Sequence, residues 1–175
     1  MNAAYPLVLA CALPLSLCAQ GEVKVTGAKV TEFGIYKAQL VSSTTNGAGV
    51  KFQRIDEFTL LKNTTRIPAR LGIRFGFRYE IFGTPSNAPV TLTMIAKHPP
   101  LKNPLTGTTE SATTYQVKTS IGKTYTANSL DDESDLVPGL WIFELWYQGK
   151  MLCDQSFMVV RDVNEKDSAK QAPAP

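Results

Sequence analysis

The chain has 175 residues, 43% of them hydrophobic and 19% charged, with a formal net charge of +3. That balance fits about one folded domain with a single core and excludes a chain held open by low hydrophobicity and high charge. A charge this small, with no Lys/Arg-rich run and no interleaved aromatics, argues against nucleic-acid binding.

Residues 1–19 carry no charged side chain and contain the apolar run Leu7 to Leu17, too short to span a bilayer. They read as a signal peptide. Cleavage after Ala19 puts Leu17 and Ala19 at the positions read by signal peptidase, although the usual Lys or Arg of the n-region is missing. The expected location is therefore periplasmic or secreted, with no transmembrane span once the segment is removed. A lipoprotein route fits less well, because Leu17 ahead of Cys18 is too bulky and Cys11 has too short an apolar run before it. A cytoplasmic location is the remaining alternative. Removal of residues 1–19 would leave Cys153 as the one cysteine, which rules out an intrachain disulfide in the product. A domain of this length can rest on its core alone, and Cys153 reads as a small buried hydrophobe rather than a reactive thiol.

Past Ala19, apolar or alternating runs are separated by Gly, Pro, Asn, Ser and Thr clusters, and no stretch has the 3.6-residue period of a helix. The first run is Glu22 to Lys37, with a bend expected at Gly34. A polar loop over 42–47 leads into Val50 to Lys62. Pro68 has no N–H to donate and belongs at a strand start or an edge.

Residues 70 to 82 form the clearest element. Leu71, Ile73, Phe75, Phe77, Tyr79 and Ile81 occupy the odd positions, with Gly72, Arg74, Gly76, Arg78 and Glu80 between them. Successive side chains on a strand point to opposite faces, so this pattern predicts one buried and one wet face. After a turn at 83–87 comes Val90 to Lys97. The Pro99, Pro100, Pro104 and Gly107 region reads as a long loop, followed by weaker strands at 114–119 and 123–127 and the acidic run at 131–135.

The closing segment alternates Trp141, Phe143, Leu145 and Tyr147, then Met151, Cys153, Phe157 and Val159. For both odd sets to face one core, an odd number of residues must connect the paired strands. A three-residue loop with Gly149 in the left-handed position is expected. Residues 162–175 read as a disordered tail, so the domain is expected over 20–161. About eight or nine short strands with frequent turn signals predict an all-β fold, an immunoglobulin-like antiparallel β-sandwich. The long connections at 42–49 and 98–112 are expected to be its Greek-key crossings.

Candidate chemistry is sparse. His98 and Cys153 would be the only nitrogen and sulfur metal ligands after signal removal, and the acidic run lacks the spacing of a calcium loop, so neither a metal nor a cofactor is expected. His98 itself reads as a solvated loop residue. No Gly-x-Ser-x-Gly elbow is present. Arg70, Arg74 and Arg78 recur every fourth residue, roughly 13 Å apart along a strand, with glycines between them. They either meet anionic or acidic partners or stand under a closely packed neighbour, and solubility and cross-strand pairing are the plainer use. Parity points Trp146 away from the core beside Glu144, where it could contact a partner or cover the sheet. The candidate binding residues are thus Arg70, Arg74, Arg78, Trp146 and His98, and the expected partner is a protein or an anionic component of the envelope.

Three stretches carry a resemblance: Arg74-Phe75-Gly76-Phe77-Arg78-Tyr79; Val90-Thr91-Leu92-Thr93 with Pro99-Pro100; and Val137-Pro138-Gly139-Leu140-Trp141-Ile142-Phe143-Glu144-Leu145-Trp146-Tyr147-Gln148-Gly149-Lys150. Over about residues 31 to 160 the chain resembles the bacterial family known as domain of unknown function 3859. The resemblance implies an envelope or secreted protein with a β-sandwich domain and supplies no activity. The functional expectation is a non-catalytic, exported binding or envelope-interaction module. The alternatives are a purely structural module, or a hydrolase using two carboxylates among Glu80, Glu110, Asp131, Asp132, Glu133, Asp135 and Glu144.

Overall fold

Period-two patterning with one apolar parity per strand leaves each sheet a single face to bury, and two such faces close on each other. The computed structural model describes residues 22–45, 51–102 and 107–161. The expected signal peptide at 1–19 and tail at 162–175 lie outside the described residues. Among the described residues there are nine strands: β1 Lys24–Thr45, β2 Lys51–Lys62, β3 Arg66–Ala69, β4 Arg74–Thr84, β5 Pro89–Lys102, β6 Thr109–Ser120, β7 Gly122–Ser129, β8 Gly139–Tyr147 and β9 Lys150–Arg161, with a 3₁₀ turn at Glu133–Asp135 before β8. They form a four-stranded sheet, β2-β1-β4-β7, and a five-stranded sheet, β3-β9-β8-β5-β6. No helix among the described residues is long and apolar enough to cross a membrane.

The core is made of the parities the pattern marks. Phe75, Phe77, Tyr79 and Ile81 of β4 are buried, as are Trp141, Phe143 and Leu145 of β8 and Phe157 and Val159 of β9. Phe75 sits at the centre, edge-on to Phe157 at 5.2 Å, Trp141 at 5.8 Å and Phe143 at 6.0 Å between ring centroids. Each such side chain contributes about 1.5–3 kcal/mol by burial, and each edge-to-face pair about 0.5–1.5 kcal/mol more.

Several expectations need correction. The strand expected from residue 70 begins at Arg74, and Leu71 is exposed. Residues 70–73 are the passage from one sheet to the other: the Gly72 N–H donates to the Leu130 carbonyl at 2.8 Å and the Leu130 N–H to the Ile73 carbonyl at 2.9 Å. A short strand was not anticipated ahead of it. β3 runs parallel to β9 at the sheet edge, so the sandwich is not wholly antiparallel, and Pro68 lies on that edge strand, where a missing N–H costs no ladder bond.

The expected Greek-key crossings at 42–49 and 98–112 are instead hairpin ends. β1 and β2 stay paired out to Thr45 and Lys51, and β5 and β6 out to Lys102 and Thr109. The ladder tolerates Pro99 and Pro100 because it skips there, Lys97 pairing with Ala112 and Leu101 with Glu110. Crossings between sheets are made by the short links after β2, β3, β4, β6 and β7.

The β8–β9 turn has two residues, not three. Tyr147 pairs with Lys150 across Gln148 and Gly149, whose φ values of +47° and +79° form the doubly left-handed turn that tight hairpins favour. The odd residue needed to bring both inward sets together is supplied by a bulge, since Trp146 pairs with Met151 but Leu145 pairs with Cys153. The bulge also turns Met151 outward, where it is exposed instead of buried.

Candidate functional site

With odd positions of β4 and β8 turned inward, two outward sheet faces remain. On the four-stranded sheet, Gly34 of β1 pairs with Gly76 of β4, so the two central strands carry no side chain at that rung. A Cβ at Gly76 would lie 2.2 Å from the Thr126 carbonyl oxygen and 2.6 Å from the Ala127 Cα of β7. Close approach of the neighbouring strand, not an open arginine shelf, is what this glycine permits. From the opposite edges of the sheet Phe58 of β2 and Tyr125 of β7 stack at 4.4 Å, and Tyr36 of β1 stacks on Phe58 at 3.9 Å.

Arg78 is built into that stack. Its guanidinium carbon lies 5.3 Å from the Phe58 ring centroid, its Nε–H donates to Glu32 Oε1 at 3.1 Å, and an Nη2–H donates to the Phe58 carbonyl. The Tyr36 hydroxyl donates to the same Glu32 oxygen at 3.1 Å. Burial, then the Glu32 carboxylate, push the Tyr36 hydroxyl pKa upward, so it stays a donor. The three arginines are not on one strand: Arg74 and Arg78 lie on β4, whereas Arg70 precedes it in the passage between the sheets. Neither Arg70 nor Arg74 is without a partner.

His98 is not in a loop. It lies within β5, half-buried, with Nδ1 2.9 Å from the Pro99 carbonyl oxygen, Nε2 3.2 Å from Thr113 Oγ1, and its ring 5.1 Å from the Trp141 ring. Both ring nitrogens are occupied by structural contacts. The acidic run closes on itself: Asp135 Oδ2 accepts the backbone N–H of Asp131 at 3.2 Å and of Asp132 at 3.0 Å. The Ser129 hydroxyl donates to Asp131 Oδ2 at 2.8 Å. Among the described residues no group of three His, Cys, Asp or Glu side chains is placed to hold a metal ion. Of the carboxylates considered for hydrolysis, Asp131, Asp132, Glu133 and Asp135 share the turn between β7 and β8, while Glu80 lies on β4, Glu110 on the edge strand β6 and Glu144 on β8. Cys153 is half-buried and unbonded, and burial followed by the Asp154 charge pushes its thiol up to about 11, away from thiolate chemistry.

The outward face of the five-stranded sheet is different in kind. Glu144 is only 9% exposed there. The Lys97 ammonium of β5 pairs with its Oε1, and Trp146 donates its indole N–H to Oε2 at 3.1 Å. The Lys97 contact, helped by that indole, holds the Glu144 carboxyl below its ordinary value against the opposing pull of burial. Trp146 is thereby fixed, half-buried, on the sheet surface. Met151, 45% exposed, stands opposite Trp146 across the ladder, and Leu140 and Met158, 48% and 39% exposed, pair with each other at the other end of the same face. Next to them an open hollow of about 410 Å³ is bounded by Thr65, Leu140, Asp154, Ser156 and Met158 among others. Parity in the sequence places Trp146 outward beside Glu144, whereas it assigns Met151 to the core. The even positions of 140–146 and of 154–158 signal most of this face, and only Met151 joins it through the bulge.

A family model described as "Domain of unknown function (DUF3859)" matches residues 24–159. No curated protein matches the chain. Among solved structures, the chain is similar to an immunoglobulin-like protein from Pseudomonas aeruginosa, with 22% identity, a TM-score of 0.54, and 81% of this chain and 99% of that chain covered. At that identity the likeness establishes the immunoglobulin-like fold alone.

Proposed function

The chain belongs to the family described as domain of unknown function DUF3859, and from that premise we propose that it is an exported, non-catalytic module that binds a partner through the outward face of β8 and β9. The observation that carries the reading is the fixing of Trp146 by Glu144 on a face that also exposes Met151 opposite it and Leu140 and Met158 at its other end. Strand faces that only keep a sheet soluble carry charges and threonines. A held aromatic with exposed apolar neighbours is the composition of a contact surface. Export is supported by the uncharged, apolar stretch of residues 1–19.

The test is photo-cross-linking in bacterial cells that export the full chain. A photoreactive amino acid at Met158 is compared with one at Phe82, which is exposed on the other sheet. A discrete adduct from position 158 in the periplasmic or secreted fraction, with none from position 82, is the expected result. Equal labelling from both positions, or a product confined to the cytoplasm with residues 1–19 intact, contradicts the proposal.

A further inference from the structure

We infer that the outward face of β8 and β9 receives a polypeptide segment of a protein partner that presents one arginine or lysine between apolar side chains. This rests on the binding reading above and adds the chemistry of the partner. Across the ladder Leu140 pairs with Met158, Ile142 with Ser156, Glu144 with Asp154, and Trp146 with Met151. Outward side chains recur about every 7 Å along a strand, so the face is a strip with apolar rungs at both ends and a carboxylate rung inside it.

Two carboxylates directly opposite each other on a ladder repel, and the protein neutralises one of them. Lys97 pairs with Glu144. Asp154 is exposed, and no ion pair engages it among the described residues. On the β3 side the cation is Arg66, opposite Met158 and two rungs away from Asp154. One uncompensated negative charge thus stands within an apolar strip, at the rim of the hollow bounded by Leu140, Ser156 and Met158.

Charge complementarity selects the occupant. A purely apolar segment would strip water from Asp154 and return nothing, and an anionic one would add a further like charge. A guanidinium or ammonium seated in the hollow pairs with Asp154, while its apolar neighbours cover the Leu140–Met158 and Trp146–Met151 rungs.

The probes are acetylated, amidated heptapeptides, Leu-Thr-Val-Thr-Arg-Thr-Leu and the same sequence with Glu in place of Arg, titrated into the isotopically labelled full chain and followed by NMR. The Arg peptide is expected to shift the Trp146 indole signal and the amides of residues 142–146 and 151–156, with at least about tenfold tighter binding than the Glu peptide. Asp154→Lys is expected to reverse that order, and Asp154→Asn to abolish the preference. Equal binding of both peptides on this face overturns the inference while leaving a contact surface in place. Shifts elsewhere, none at all, or dilution-dependent shifts that reveal a second copy seated on the face overturn it too. The cross-linking comparison reads the fate of the binding proposal independently.

Discussion

Trp146 donates its indole N–H to Glu144 two residues earlier on the same outward strand face, at 3.1 Å. The bond is possible because residues i and i+2 of a strand share a face. It has two effects: the buried carboxylate gains a donor besides Lys97, and a large aromatic ring is held against the sheet instead of moving in solvent.

This cluster makes stability depend on pH in a defined sense. The folded state holds the Glu144 carboxyl below its ordinary 4.5, so the unfolded chain takes up the proton first. The stabilisation is present above that value and is lost as pH falls through the folded pKa. Urea midpoints of wild type and Glu144→Gln, measured from pH 7 down to 3, are expected to converge in acid. A constant difference between the two across that range contradicts the assignment.

Gly76→Ala is expected to destabilise the domain by at least about 2 kcal/mol, at the upper part of the range for overpacked sites. The Cβ would meet the Thr126 carbonyl oxygen and the Ala127 Cα, which are backbone and cannot swing aside. Chemical denaturation reads the loss. A variant as stable as wild type would show that β7 does not approach β4 so closely.

Arg78 and Glu32 should couple weakly but measurably. Their side chains are 43% and 35% exposed, so solvent screens the pair, and a double-mutant cycle of Arg78→Ala and Glu32→Ala is expected to give about 0.5–1 kcal/mol. The Arg78 single variant should cost more than the cycle energy, because it also uncovers the Phe58 ring and removes the donor to the Phe58 carbonyl.

Cys153 should resist alkylation. With its thiol raised to about 11, the reactive thiolate is scarce at neutral pH. Iodoacetamide labelling of the native chain at pH 7.5 is expected to be slower than labelling in 6 M guanidinium by about an order of magnitude or more, as followed by mass spectrometry. Equal rates would contradict the burial.

What the sequence made legible was whatever parity alone decides. Phe75, Phe77, Tyr79 and Ile81 are inward because a strand has two faces, and Trp146 lies outward for the same reason. Register and strand ends depend on pairing, which a single strand does not encode. Leu71 keeps the alternation yet lies outside the strand, because the chain is crossing between sheets there. Pro99 and Pro100 look like a loop but sit in a skipped ladder position. Arg78 looks like a free charge, yet its aromatic and acidic partners come from β2 and β1, 20 and 46 residues away in sequence. Glu144 and Asp154 stand opposite each other because an odd residue lies between the strands, as their shared parity requires; parity does not say whether a longer loop or a bulge supplies it, and the place of Met151 turns on that difference.

The claim on which the functional account depends is that the Trp146 face is the one that binds. Its most direct measurement is the affinity of the chain for the protein captured from position 158, compared among wild type, Trp146→Ala and Phe82→Ala, with near-UV circular dichroism confirming each fold. A buried interface tryptophan is worth about 2 kcal/mol or more, so Trp146→Ala is expected to weaken binding at least about thirtyfold while Phe82→Ala leaves it unchanged. Unaltered affinity in Trp146→Ala, or a loss of the same size in Phe82→Ala, would contradict the account.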